Sequence, residues 1–324
     1  MLWPKTWSIL PAESERFALG LWQHQILDQV TGDFSRHARY DAHGPQSGSQ
    51  FPRHGGFYIE TWAEAWSREP HPYFFSAINV LVQSYRERRL DRNGWGSYVP
   101  PGAIPDTTTR SEHPKTHQLI YFWSPWHTLS YSISCHYAAQ LASSGSRATL
   151  LDEAVSQDTV FHSYFDSHMA RLTAEGFVLG WFDGGYGGEG LNHSSIALMC
   201  LERYRQTSDG RFLSRVRAIA DQYLTLTPVL GTLVFPGALG DAILLLVELH
   251  RETAEVQYFN RAAYFADLAL ELFWDGTSPL PKVTNQHPWY EVLTRADTLA
   301  MALLDLWAAG ERPQLDLGLQ MSDR

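Results

Sequence analysis

Apolar positions recur along most of the chain at the three-to-four-residue spacing of amphipathic helices, and few stretches alternate as a strand would. The pattern predicts helices over 12–30, 56–68, 72–90, 118–142, 148–173, 192–207, 210–228, 236–253, 256–274 and 288–308. They are of two kinds. Segments 56–68, 118–142, 192–207, 236–253 and 288–308 carry apolar or small residues around most of the helix, as in ALGDAILLLVEL and ADTLAMALLDLW, which suits burial on several sides. The intervening segments, such as NRAAYFADLALEL, are one-sided. A weak repeat follows this alternation. WSREPHPYFFSAI, YRQTSDGRFLSRV and HRETAEVQYFNRA each set a polar turn before an aromatic that opens the next helix, and Phe212 and Tyr258 lie 46 residues apart. Helical hairpins repeating at that length predict an all-α fold, a single α/α toroid of about five or six hairpins over 1–324. A straight helical solenoid is the alternative, and it would usually repeat more regularly.

Two segments interrupt the rhythm, 31–55 and 91–117, both rich in Gly, Pro and polar residues. Loops of such length inside a compact domain often serve as lids or binding loops. Their Arg, His, Tyr and Trp content favours binding. Across the 324 residues, apolar types make up 44% and charged types 19%, enough for a substantial core. The net charge of −10 argues against a general nucleic-acid binder, though not against an anionic small substrate. No apolar run reaches membrane-spanning length. The opening MLWPKTWS shows no apolar leader, which fits a cytoplasmic chain or one whose leader has been removed. Cys135 and Cys200 both fall in predicted helices and read as buried thiols.

Chemistry-bearing residues gather at the starts of the buried helices. Arg53 and His54 precede the helix at 56, and Trp123, Trp126, His127 and Tyr131 occupy the first half of 118–142. Asn192 and His193 open the helix at 192 after the glycine-dense GYGGEG, which contains Tyr186. His287, Trp289, Tyr290 and Arg295 lie at the start of the last helix. In a toroid these N-termini meet at one mouth, where helix ends favour anions. Each residue also has a plainer use: Asn192 as a helix cap, His127 and Tyr131 as core polars, the tryptophans as core, and Arg295 as an ion-pair partner of Glu291. His37, Asp41 and His43 share a loop but match no compact zinc spacing, so no metal is expected.

L-N-H-S at 191–194 resembles the Asn-His motif of alginate lyases and related uronate polysaccharide lyases with α/α-toroid folds. The resemblance covers the helical architecture and this short motif. It implies β-elimination on an anionic uronate polysaccharide of alginate or glucuronan type, with no organic cofactor. Asn192 and His193 would then neutralise the substrate carboxylate, assisted by Arg53 or Arg295, since that charge opposes loss of the neighbouring proton. His193 is also a candidate base. Such lyases often carry an Arg and a catalytic Tyr on the following inner helix, and VFPGALGDAILLL has neither. Tyr290 and Arg295 are the substitutes for catalysis, with Tyr131 and Tyr186 competing. Arg53, His54, Trp123, His127, Tyr131, Tyr186 and Trp289 are the expected substrate contacts.

Other functions fit the same pattern. A toroidal glycoside hydrolase acting on unsaturated uronyl sugars would need carboxylic acids at the mouth, where Asp183 and Glu189 are available. A sugar epimerase would use paired histidines for proton transfer. A carbohydrate-binding protein would need the aromatics without grouped Asn, His, Tyr and Arg.

Overall fold

The protein is described here as a computed structural model, covering residues 4–34, 52–90, 95–98, 111–112, 119–120, 125–142, 144–174, 193–290, 294–315 and 317. The chain divides into two compact units, residues 1–168 and 169–324.

In the first unit the order is α1 (Pro4–Ile9), α2 (Pro11–Gly20), a π-helical turn (Leu21–Gln25), β1 (Ile26–Asp28), β2 (Asp33–Phe34), α3 (Pro52–Arg68) and α4 (Pro72–Arg88). Then come β3 (Arg89–Leu90), β4 (Trp95–Tyr98), β5 (Ser111–Glu112), β6 (Leu119–Ile120), α5 (Pro125–Leu141) and α6 (Ser144–Ala174), whose last residues enter the second unit. The strands form three two-stranded antiparallel ribbons. The helix expected over 12–30 therefore ends at Gly20. The Asp28 carboxylate accepts from Val30 N at 2.8 Å and Gly32 takes φ 71°, a turn that the apolar spacing had concealed. Likewise the 118–142 helix starts only at Pro125, with 119–120 in a strand.

α3 and α5 run side by side in the same direction, because successive contacts advance along both. Ser134 Oγ donates to Glu60 at 2.6 Å, and Tyr137 donates to Glu64 further on. Gly56 explains the closeness, since a Cβ there would lie 2.7 Å from Ser134 Oγ, while one on Gly55 would lie 2.0 Å from Tyr85 Oη on α4. Trp62 is fully buried beneath them and donates Nε1–H to Ala18 O at 3.1 Å, tying α3 to α2.

The second unit holds α7 (His193–Thr207), α8 (Gly210–Thr225), α9 (Pro236–Thr253), α10 (Val256–Phe273) and α11 (Ala296–Glu311). Every residue from His193 to Leu201 and from Pro236 to Leu249 is buried, so α7 and α9 are enclosed on all sides along those lengths. α8 and α10 bury one face each, through Phe212, Val216, Ile219, Ala220, Tyr223 and Tyr258, Ala262, Phe265, Ala266, Ala269. The first five positions and the second five stand at the same 46-residue offset that the aromatic repeat showed. Ser208 and Ala254, one at the end of each enclosed helix, both take left-handed φ near 59° and 58°, turning the chain into the next helix.

Ion pairs fix the direction of α7, α9 and α11. Arg205 pairs with Glu248 at 2.8 Å, and Arg251 with Asp305 at 2.8 Å, linking their C-terminal halves, while Asp241 pairs with Arg295 near the other ends of α9 and α11. The three helices are therefore parallel. Burial, with Glu248 beside it, pushes the Asp305 carboxyl up to about 6 despite Arg251. Cys135 and Cys200 are both buried, as expected. Among the described residues, no helix is long and apolar enough to cross a membrane.

α9 and α11 approach through Gly240: a Cβ there would lie 2.8 Å from the backbone of Leu299. Backbone cannot swing aside as a side chain would. Gly240→Ala is expected to lower stability by about 1–3 kcal/mol in urea unfolding. Gly231→Ala, where nothing lies within 4 Å, is expected to change it by less than about 0.5 kcal/mol.

Candidate active site

The N-terminal ends of α7, α9 and α11 lie together at one end of the second unit, and the clearest chemistry of the protein is there. His193 is the first residue of α7. It is 8% exposed, and its Nδ1 has no hydrogen-bond partner among the described residues. Burial holds its pKa down to about 4, so the imidazole is neutral at neutral pH. A neutral ring at a helix start also avoids placing an imidazolium against the positive end of the helix dipole.

Behind His193, the Tyr223 hydroxyl donates to Ser194 Oγ at 3.4 Å, joining the end of α8 to the start of α7. Burial pushes Tyr223 up to about 12, with Asp241 adding to the effect, so it stays protonated. Asp241 is fully buried on α9 and accepts from Arg295 Nη2. Arg295 is the residue immediately before α11, in the left-handed region at φ 55° and ψ 47°. For a non-glycine residue that conformation costs about 1–2 kcal/mol. Gly237 makes room for it, since a Cβ there would lie 2.6 Å from Arg295 Cβ.

Two loops lead into these helices, and Asn285 joins them. Its side chain accepts from Val234 N at 2.9 Å and donates to Thr232 O at 3.0 Å, while its own N donates to Val234 O at 3.2 Å. Thr284 and His287 close a tight turn through a 2.9 Å bond between Oγ1 and Nδ1. The His287 ring lies 4.9 Å from that of Trp289. Trp289 and Tyr290 are 58% and 44% exposed on this turn. The last helix was expected from 288, whereas 288–290 are not helical and α11 begins at Ala296, directly after the left-handed Arg295. His287, Trp289 and Tyr290 therefore stand before the helix rather than on it.

Structure thus brings His193 and Arg295 to the same end of three parallel helices. Arg295 pairs with Asp241, 54 residues away, while Glu291 lies outside the described residues. In the first unit, Arg53 and His54 lie inside the first turn of α3 rather than ahead of it. The glycines after them are buried packing positions, so Gly55 and Gly56 do not offer exposed amides. His54 is half-buried with its ring 6.4 Å from Phe57. Tyr131 is fully buried, edge-on to Tyr85 at 4.9 Å. His127 falls in the first turn of α5. Trp123, Tyr186, Asn192, Asp183, Glu189 and the His37, Asp41, His43 loop lie outside the described residues. Among the described residues no cluster of three or more His, Cys, Asp or Glu could hold a metal.

Asp241 and Tyr223 escaped the sequence analysis. The signal for Asp241 was present: a carboxylate alone in PGALGDAILLL must find a partner or stay out of the core.

His193 makes stability depend on pH in a definite sense. Its folded pKa lies below the free value near 6.5, so between the two the unfolded chain binds a proton that the native state refuses. The stabilisation is complete above pH 6.5 and is lost as pH falls towards 4. The difference in urea midpoint between the protein and His193→Gln should therefore shift against the unsubstituted protein over that window, and its ring proton resonances should show no titration above about pH 5.

No family model matches the sequence, and no curated protein matches it. Among solved structures, the chain is similar to one described as the crystal structure of D-mannose isomerase, at a TM-score of 0.57 and 14% identity, over 95% of this chain and 83% of that one. At that identity the likeness bears on the fold alone, and it gives the architecture expected from alternating enclosed and one-sided helices: an all-α fold of α/α-toroid type.

Proposed function

We propose that the protein is a carbohydrate-active enzyme that interconverts an aldose and its ketose, or epimerises a sugar, by moving a proton at the carbon beside the carbonyl. The observation that carries this is His193: an imidazole 8% exposed, neutral down to about pH 4, with Nδ1 unbonded among the described residues, at the end of the unit that also holds Arg295. Such a ring can accept the proton from carbon and return it to the neighbouring carbon. Its low basicity in the resting site is offset once an enediolate forms, because the new negative charge favours the imidazolium. The structural likeness to a D-mannose isomerase makes a neutral hexose the first substrate to try.

The Asp241–Arg295 pair supports a neutral sugar over a uronate. A carboxylate substrate would have to draw Arg295 from a buried Asp241, and an unpaired buried carboxylate is costly. Asn192 and Tyr290 remain proposed as residues near the sugar.

Incubation with D-mannose and other aldohexoses in deuterium oxide tests it. Deuterium should enter the carbon next to the carbonyl, with ketose or epimer appearing by NMR. His193→Ala should lower kcat/KM by roughly 10²–10⁴-fold. No exchange with any sugar, together with a rise in ultraviolet absorbance on alginate or glucuronan, would overturn the proposal in favour of β-elimination.

A further inference from the structure

Three features that each cost stability meet at one contact. Asp241 is a fully buried carboxylate on a helix enclosed from Pro236 to Leu249. Its partner Arg295 sits in the left-handed region without being glycine. Arg295 also stands at the N-terminal, positive end of α11, where a cation is disfavoured. An apolar pair of similar volume would join α9 and α11 without any of these costs. Helix packing alone does not require the pair. What the arrangement secures is a guanidinium, on a side chain 27% exposed, fixed at the end of the unit where His193 lies.

We infer that Asp241 is a positioning residue for catalysis: it holds Arg295 as the hydrogen-bond donor for the sugar oxygen that becomes negative during proton transfer. This rests on the isomerase or epimerase reading above. In the step, the C–H bond beside the carbonyl breaks and its electron pair forms the carbon–carbon double bond of the enediolate. The carbonyl π pair moves onto oxygen, His193 takes the proton, and Arg295 donates a hydrogen bond to the new oxyanion without giving up its own proton. The proton of the neighbouring hydroxyl passes to the first oxyanion, and as His193 returns its proton to the adjacent carbon the electron pair on the second oxygen forms the new carbonyl. Asp241 touches no substrate. It acts through the guanidinium, and a fixed planar fork loses little freedom when charge develops in front of it.

The test compares kcat and KM on D-mannose, and calorimetric binding of a four-carbon sugar hydroxamate as an enediolate mimic, in the unsubstituted protein, Asp241→Asn and Arg295→Lys. Asp241→Asn should lower kcat and hydroxamate affinity together by roughly 10²-fold, as expected when a donor is misplaced. KM should change by less than about threefold, and the acid limb of the pH–rate profile should not move. If Asp241→Asn does not fold, Arg295→Lys, which keeps the charge but not the fork, should show the same split. A kcat and hydroxamate affinity within about twofold of the unsubstituted protein, with only thermal stability lowered, would make the pair structural and overturn the inference. An unsubstituted protein that neither isomerises nor exchanges the carbon-bound proton would instead overturn the reading on which it rests.

Discussion

Burying Asp241 in an enclosed helix is the constraint from which much of the second unit follows. A carboxylate away from water must be met by a donor, and the nearest sequence neighbours are apolar. The donor comes from the start of α11, and to deliver it the backbone at Arg295 takes a left-handed turn. Gly237 leaves space for that turn, and Gly240 lets the α11 backbone continue alongside α9. One polar contact thereby dictates two glycines, a strained residue and the point where the last helix begins.

The opposite ends of the same helices are held differently. Arg205 and Arg251 lie near the C-terminal ends of α7 and α9, where the helix dipole favours cations, and both pair with Glu248. Their charges are arranged with the dipoles. At the other end the imidazole of His193 is neutral, and the paired Arg295 is the cation that stands at a positive helix end. Left-handed residues occur at both ends, Ser208 and Ala254 as well as Arg295, so what sets the His193 end apart is a buried ion pair whose cation faces a positive helix end.

Local signals made the helical core legible. Pro236 at the first turn and an unbroken apolar run placed α9 at 236–253, the bounds observed. The 46-residue repeat, seen first as two aromatics, extends through the buried face of α8 and α10. The helix start at His193 was legible because a polar triplet followed a glycine-dense stretch of sequence. What could not be read was long-range. Asp241 finds its partner 54 residues away, and Asn285 bonds to a loop more than 50 residues upstream. The start of the last helix was misplaced for the same reason: HPWYEVLTRAD has helical spacing, but a tight turn holds His287 and a partner on another helix holds Arg295.

The enclosure of α9 has a consequence for how such a chain diverges. With fourteen consecutive buried positions, the helix has no outward face on which polar substitutions could accumulate harmlessly. Most of those positions demand only an apolar side chain of acceptable size, and paired exchanges can preserve the packed volume. Two chains only 14% identical can therefore share this fold. What such a helix demands is periodicity and the few positions, such as Gly240, where nothing larger fits.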